Sequence, residues 1–284
     1  MKNLRLIALL TAALAFVAAG FAQSTLEQAR ERGFIRVGFA NEVPYAYANP
    51  DGTLTGEAVE VARAVFQELG IPEMDGVLTE FGSLIPGLQA GRFDVITAGM
   101  YVTPTRCEQV AFADPEYQIG EGIVVPDGNP MAITSYEDIA ANPEIRVGTG
   151  AGWLEYDYMV AMGVAEDQIV TFPDAPSGMA GLQADRIDVF TGTSLTMREI
   201  AGRTNGVAFV EDFVQPVIDG ETVISYGAAA FRIADADFRD AYNEVLNGLK
   251  ADGRLAALIE PFGFGATELP GAMTSAEFCG ASYN

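Results

Sequence analysis

Residues 99–106, Gly-Met-Tyr-Val-Thr-Pro-Thr-Arg, combine a helix start, a permanent positive charge and an aromatic ring. Thr103 can cap a helix whose first residue is Pro104, where the missing N–H costs nothing. The free N–H groups and positive dipole end of that helix favour an anion. Arg106, one turn in, adds a planar fork that fits a carboxylate through two hydrogen bonds. The stretch reads as a carboxylate receptor with an aromatic wall. The plainer alternative is a capped helix with a surface Arg.

Other residues complement it. Tyr45, Phe81 and Tyr101 precede or follow short apolar runs, and Trp153 is the only Trp of the chain. Aromatic faces attract a desolvated cation by roughly 0.5–2 kcal/mol each, more for a flat cation that can stack. Glu42, close to Tyr45, could neutralise such a cation. Tyr45 and Phe81 read equally well as core side chains when each is taken alone. The chain has no His, and Lys250 is the only Lys beyond residue 2. Most acid–base, metal and Schiff-base chemistries therefore lack their usual residues, and no catalytic residue, metal site or cofactor is expected.

Residues 1–22 read as a secretory leader. Lys2 and Arg5 make a basic start, residues 6–21 carry no charge, and Gly20-Phe21-Ala22 offers a cleavage site. The apolar run is marginal for a membrane span, which needs about 18–20 residues. No Cys follows it to carry a lipid. Cleavage near Ala22 would release an exported chain long enough for one large domain or two medium ones. Cys107 and Cys279 are the only cysteines, and an isolated pair in an oxidising compartment reads as a structural disulfide. The formal charge of −23 argues against nucleic acid and anionic membranes as partners. It suits salty surroundings, where repulsion is screened.

Two ordered word pairs reveal an internal repeat. Ile35-Arg36-Val37-Gly38 recurs as Ile145-Arg146-Val147-Gly148. Gly87-Leu88-Gln89-Ala90-Gly91-Arg92-Phe93-Asp94-Val95 recurs as Gly181-Leu182-Gln183-Ala184-Asp185-Arg186-Ile187-Asp188-Val189. Each copy begins with a strand and continues as a helix running into another strand, so two α/β lobes of similar plan are expected. In the first, Phe34–Phe39 reads as a strand and residues 56–69 as a helix burying Val59, Ala62, Val65, Phe66 and Leu69. Ser83 reads as the cap of a helix to Ala90, and 93–98 as the next strand. In the second, 146–148 open a strand, Ser177 caps a helix to Asp185, and 187–191 form its strand. This alternation predicts mainly parallel sheets flanked by helices. Residues 122–126 and 222–231 read as extended segments between the lobes, with helices over 235–250 and Arg254–Ile259 returning to the first. Lobe one is then 23–122 with 227–284, and lobe two is 123–226. Ligands of open α/β sheets bind beyond the carboxyl ends of the strands. That rule puts Glu42, Tyr45, Phe81, Tyr101 and Arg106 opposite Gly152, Trp153, Leu154 and Thr193 across one interlobe cleft.

Residues 40–45 (Ala-Asn-Glu-Val-Pro-Tyr), 80–92 (from Glu-Phe-Gly to Arg) and 97–107 (from Thr-Ala-Gly to Arg-Cys) resemble segments of the ectoine and hydroxyectoine binding proteins. These belong to the amino-acid-type solute-binding proteins of ABC importers, in which a Gly-x-x-x-Thr-x-x-Arg segment holds the ligand carboxylate. The resemblance extends to Ile259-Glu260-Pro261-Phe262-Gly263-Phe264 and to Cys279. It implies a type II periplasmic binding fold over essentially the whole chain after the leader. It also implies that Tyr45, Phe81 and Tyr101 enclose a ring, that Glu42 meets its nitrogens, and that Arg106 binds its carboxylate. Amino-acid binders of this kind close on an α-ammonium with an acid in a pattern like Asp-x-x-x-x-Asp. Here Asp188 is followed by Val189-Phe190-Thr191-Gly192-Thr193-Ser194, with no acid. A buried ammonium without a counter-charge would cost several kcal/mol, which moves the cation toward Glu42. The loop over 148–154, Gly-Thr-Gly-Ala-Gly-Trp-Leu, departs from the resemblance by placing Trp153 and Leu154 where a hydroxyl is expected.

The resulting expectation is a monomeric periplasmic protein that delivers a small zwitterionic compatible solute to an ABC permease. Two alternatives stay open. One is a polar amino-acid binder whose amine meets Asp174 or Glu155. The other is a prephenate or arogenate dehydratase on the same fold, with Glu42 as general acid.

Overall fold

Strand and helix alternate as the repeated words require, and the strands assemble into two sheets. The computed structural model describes residues 23–283, so the expected leader, residues 1–22, lies outside the described residues. The first sheet runs Glu73–Leu78, Phe34–Phe39, Val95–Tyr101, Ser225–Phe231 and Ala111–Phe112, with Tyr117–Ile119 also paired to Ser225–Phe231. The second runs Ile169–Phe172, Val147–Gly150, Val189–Thr193, Glu121–Pro126 and Val207–Phe209. In each sheet one strand runs against all the others: Ser225–Phe231 in the first and Glu121–Pro126 in the second. The sheets are mixed: four strand pairings are parallel and five, all made by the two reversed strands, are antiparallel.

Those two reversed strands correct one expectation. Residues 122–126 and most of 222–231 are not linkers but interior strands. Their apolar runs, Ile123-Val124-Val125 and Ala228-Ala229-Ala230, are buried, as strands covered on both faces must be. The crossings themselves are short. One is Gly120, between Tyr117–Ile119 of the first sheet and Glu121–Pro126 of the second. The other is residues 223–224, between Glu221–Thr222 and Ser225–Phe231.

The repeat has a structural purpose. Asp94 closes on Arg36, accepting from its backbone N–H at 3.2 Å and its Nη2 at 2.9 Å. Asp188 closes on Arg146 in the same way, at 2.8 and 3.2 Å. Each lobe thus clamps the start of its first strand to the start of the strand after its repeat helix. Asp188 belongs to this clamp.

Helix Glu57–Glu68 buries Val59, Ala62, Val65 and Phe66 as its spacing predicts. Its first N–H groups donate to the Pro44 and Tyr45 carbonyls at 2.9 and 3.0 Å, which ties the first loop to the helix. Helix Ala236–Ala251 packs on it through Phe238 and Tyr242, whose rings lie 6.0 and 5.6 Å from that of Phe66. Two caps differ from expectation. A tight turn over Phe81–Ser83 precedes helix Leu84–Gln89, so Ser83 is already helical and its hydroxyl caps nothing. Helix Ala175–Gln183 starts two residues before Ser177, and the Asp174 carboxylate accepts from the Ser177 N–H at 2.8 Å. Among the described residues no helix is long and apolar enough to cross a membrane.

Cys107 and Cys279 are joined, with Cα atoms 5.4 Å apart and a sequence separation of 172. The bond fastens the short helix Pro104–Cys107 to helix Ser275–Cys279. A cross-link closing so long a loop restricts the unfolded chain, and replacing both cysteines by Ser should lower unfolding stability by roughly 2–5 kcal/mol. Urea denaturation followed by circular dichroism measures this, and an unchanged midpoint would contradict it.

Candidate functional site

The strand expected to end at residue 98 continues to Tyr101, and Gly99 explains how Tyr45 reaches it. Gly99 has φ +63°, and a Cβ there would stand 2.4 Å from the Tyr45 ring. The Tyr45 ring therefore lies flat on the strand. Behind it are Tyr117 and Phe264, at ring distances of 5.1 and 5.5 Å, and the Tyr117 hydroxyl donates to the Gly99 carbonyl at 2.7 Å. Tyr45 thus packs into the core on one side and lines the cavity between the lobes on another.

Thr103 caps helix Pro104–Cys107 as its sequence predicts, accepting from the Arg106 N–H at 3.2 Å. This helix is a single turn, so its dipole is slight, and the charge in the loop resides in the Arg106 side chain. One of its amino groups donates to the Tyr101 carbonyl at 2.9 Å. The other reaches across to the Gly152 carbonyl of the second lobe, also at 2.9 Å. The guanidinium carbon stands 5.6 Å from the centre of the Phe81 ring.

The lobes meet backbone to backbone at this point. A Cβ on Gly152, which has φ +82°, would sit 2.8 Å from the Gly82 Cα. Next along the chain, Trp153 is buried with its ring 6.0 Å from that of Phe190.

The cavity between the lobes is lined by Glu42, Tyr45, Phe81, Gly99, Tyr101 and Arg106 on one side and by Trp153, Leu154, Glu155 and Thr193 on the other. Its volume is about 20 Å³, little more than a water molecule requires. Eight of the nine residues expected from sequence line it. Gly152 does not, and stands at the mouth with its carbonyl on Arg106. Asp174 is exposed and occupied as a helix cap, so of the two alternative acids only Glu155 faces the cavity. Gly99 and Thr196 belong to loops expected at the cleft, but the part each plays, a close approach to Tyr45 and a contact with Glu42, was not expected, and neither was the buried Glu121.

Carboxyl groups dominate the electrostatics. Thr196 Oγ1 lies 2.9 Å from Glu42 Oε1 and 3.0 Å from the Val43 carbonyl. A hydroxyl has one proton to give. It therefore donates to the Glu42 carboxyl or to the Val43 carbonyl, one at a time. Burial pushes the Glu42 pKa up to about 8 against the opposing hydrogen bond from Thr196. Burial likewise raises Glu155 and, further, Glu121. The Tyr45 and Tyr101 hydroxyls are buried and pushed upward by burial first and by these acids second.

The model of the bacterial extracellular solute-binding proteins, family 3, matches residues 35–266. A probable amino-acid ABC transporter periplasmic-binding protein of Sinorhizobium fredii is 38% identical over 84% of this chain and 80% of its own length. The L-cystine-binding protein of Escherichia coli is 26% identical over 86% of this chain and 87% of its own. Among solved structures, EhuB in complex with hydroxyectoine superposes with a TM-score of 0.81 at 36% identity, covering 90% of this chain and 98% of that one.

Gly152→Ala tests the seam. The new methyl group collides with Gly82 and the residue is held at a backbone angle that costs Ala about 1–2 kcal/mol, so the lobes should fail to seal. Small-angle scattering should show a larger radius of gyration than for the parent, and an identical profile would refute contact at this point.

Proposed function

This chain belongs to family 3 of the bacterial extracellular solute-binding proteins and is a solute-binding protein of an amino-acid-type ABC importer; from that premise we propose that its ligand is a small zwitterion of the ectoine and hydroxyectoine class. The observation that carries this reading is one cavity lined by Tyr45, Phe81, Tyr101 and Trp153 together with Glu42 and Arg106. The aromatic faces suit a planar, delocalised cation. Glu42, protonated while it faces no cation, yields its proton when one arrives and becomes the counter-charge. Arg106 exchanges the Gly152 carbonyl for the ligand carboxylate, a stronger acceptor. The small cavity means that the solute enters with the lobes parted and that closure follows. The chain acts in the periplasm after loss of residues 1–22 and presents its loaded form to a permease.

Thr193 supports a cation lacking an α-ammonium. It stands where an amino-acid binder would carry an acid, and its hydroxyl accepts from the Thr196 N–H at 3.2 Å. A polar amino acid is the second reading, favoured by one observation: Glu155 supplies a carboxyl group from the second lobe.

A thermal-shift series with ectoine, hydroxyectoine, glycine betaine, L-arginine and L-cystine separates the readings, because a ligand at a hundred times its Kd stabilises by about 2.7 kcal/mol. The ectoines should raise the midpoint most; a response to arginine or cystine alone would overturn the proposal in favour of the second reading. In calorimetry with hydroxyectoine, Arg106→Ala should abolish binding by leaving the carboxylate without a partner. Phe81→Ala and Tyr101→Ala should each weaken it by about 1–3 kcal/mol through lost stacking and buried area. Parent-like affinity in all three would exclude this cavity as the binding site.

A further inference from the structure

Arg106 has a counterpart in the second lobe. In each lobe the strand after the repeat helix lies parallel to the first strand, Val95–Tyr101 beside Phe34–Phe39 and Val189–Thr193 beside Val147–Gly150. A threonine at or just beyond its end then caps a helix. Thr103 accepts from the Arg106 N–H and Thr193 from the Thr196 N–H, both at 3.2 Å. Arg106 and Thr196 are therefore the third residues of their helices, Pro104–Cys107 and Ser194–Arg203. Each side chain crosses the cleft to a carbonyl in the loop after the other lobe's first strand. Arg106 donates to the Gly152 carbonyl at 2.9 Å, and Thr196 Oγ1 lies 3.0 Å from the Val43 carbonyl and 2.9 Å from Glu42 Oε1. The repeat thus yields a reciprocal pair of contacts, one thrown from each lobe.

We infer that Thr196 is the latch of the closed form, a positioning residue that holds Glu42 and its loop against the second lobe while Arg106 is engaged by a ligand. The inference rests on the reading that a solute binds in this cavity and the lobes close over it. The two contacts are then unequal. Arg106 gives up the Gly152 carbonyl to take a ligand carboxylate, whereas Thr196 is 0% exposed and stands behind the cavity wall, where no solute displaces it. Its hydroxyl has two acceptors, so with Glu42 occupied by a ligand cation it still donates to Val43. What it holds is a compact unit. Glu42 and Ala46 exchange backbone hydrogen bonds, both of 2.9 Å, so fixing Glu42 also fixes Tyr45 between them. On its own side the helix start is anchored, because the Ser194 N–H donates to the Gly120 carbonyl of the crossing between lobes at 2.9 Å. Parting the lobes therefore breaks a fully buried hydrogen bond that no contact within one lobe replaces.

Two measurements test the latch, each on the full chain as parent, Thr196→Val and Thr196→Ser. Valine keeps the shape of the side chain and removes the hydroxyl; serine keeps the hydroxyl. The first needs no ligand and follows the Glu42 carboxyl carbon by NMR titration. The titratable groups lining the cavity with Glu42 are Tyr45, Tyr101, Arg106 and Glu155, and all three chains retain them. The Thr196 hydrogen bond opposes the upward effect of burial on Glu42, so Thr196→Val should move its transition upward by roughly 0.5–1 pH unit. Thr196→Ser should titrate like the parent. A Glu42 curve unchanged in Thr196→Val would overturn the contact. The second measures hydroxyectoine kinetics by stopped-flow fluorescence of Trp153, the only Trp of the chain and part of the cavity wall. Thr196→Val should raise the dissociation rate roughly 3–10-fold, the worth of one such bond, and leave the association rate unchanged, because the latch forms after the solute has entered. Thr196→Ser should restore slow dissociation, which a role confined to folding of the second lobe would not produce. Parent-like dissociation in Thr196→Val, or Thr196→Ser as fast as Thr196→Val, would overturn the latch. Failure of hydroxyectoine to bind the parent would count against the proposed ligand, while the NMR titration would still decide the contact.

Discussion

The Arg106 guanidinium joins the two halves of this protein, beside Thr196, which contacts Glu42 and the Val43 carbonyl across the same cleft. Arg106 reaches a strand end of the first lobe and a loop of the second through hydrogen bonds of equal length, so the charge that would receive a ligand also registers closure. Such a role makes demands on the surroundings. Gly82 and Gly152 must let the backbones touch, Thr103 must orient the turn that carries Arg106, and the disulfide must hold that turn to the end of the chain. Removing water from around the charge strengthens its interactions and raises the cost of leaving it uncompensated.

The acids around it obey the converse constraint. Glu42, Glu121 and Glu155 are enclosed in apolar and aromatic surroundings, and burial shifts each toward its protonated form. The first lobe repeats the device away from the cleft. There Glu116 is pushed up to about 7 by burial, accepts from the Tyr242 hydroxyl at 2.7 Å and neighbours the buried Glu57. The buried glutamates are thus held toward their protonated form, while buried Asp94, paired with Arg36, is shifted the opposite way.

The internal repeat separates scaffold from site. At one end of the sheets both lobes carry the same Arg–Asp clamp, Arg36 with Asp94 and Arg146 with Asp188. At the opposite end the copies diverge: the first presents aromatic rings and Arg106, the second Trp153, Glu155 and Thr193. Duplicated hydrogen bonds keep the strand starts in register while the loops beyond the strand ends vary, which is the usual division between a rigid frame and its functional loops.

By itself the sequence determined the two-lobed α/β plan, the cysteine pair, the Thr103 cap and eight residues that line the cavity. Each of these rests on local rules: hydrophobic period, capping chemistry, a repeated word, or a loop following a strand. It read residues 122–126 and 222–231 as extended segments between the lobes, whereas 122–126 and 225–231 fill the sheets and 223–224 make the crossing, because an apolar run long enough to span a gap is also long enough to fill a sheet, and only the pairing partners distinguish them. It nominated Asp174 and Glu155 as equivalent acids, since charge and spacing treat them alike. Tertiary packing turned Asp174 outward to cap a helix and buried Glu155 in the cavity that Arg106 also lines. The burial of Glu155 and of Glu121, 34 positions apart, and the upward shift it gives both depend on dielectric surroundings that no local pattern encodes. The fold was legible because periodicity is local. The electrostatics of the cleft belong to the tertiary structure, because burial is collective.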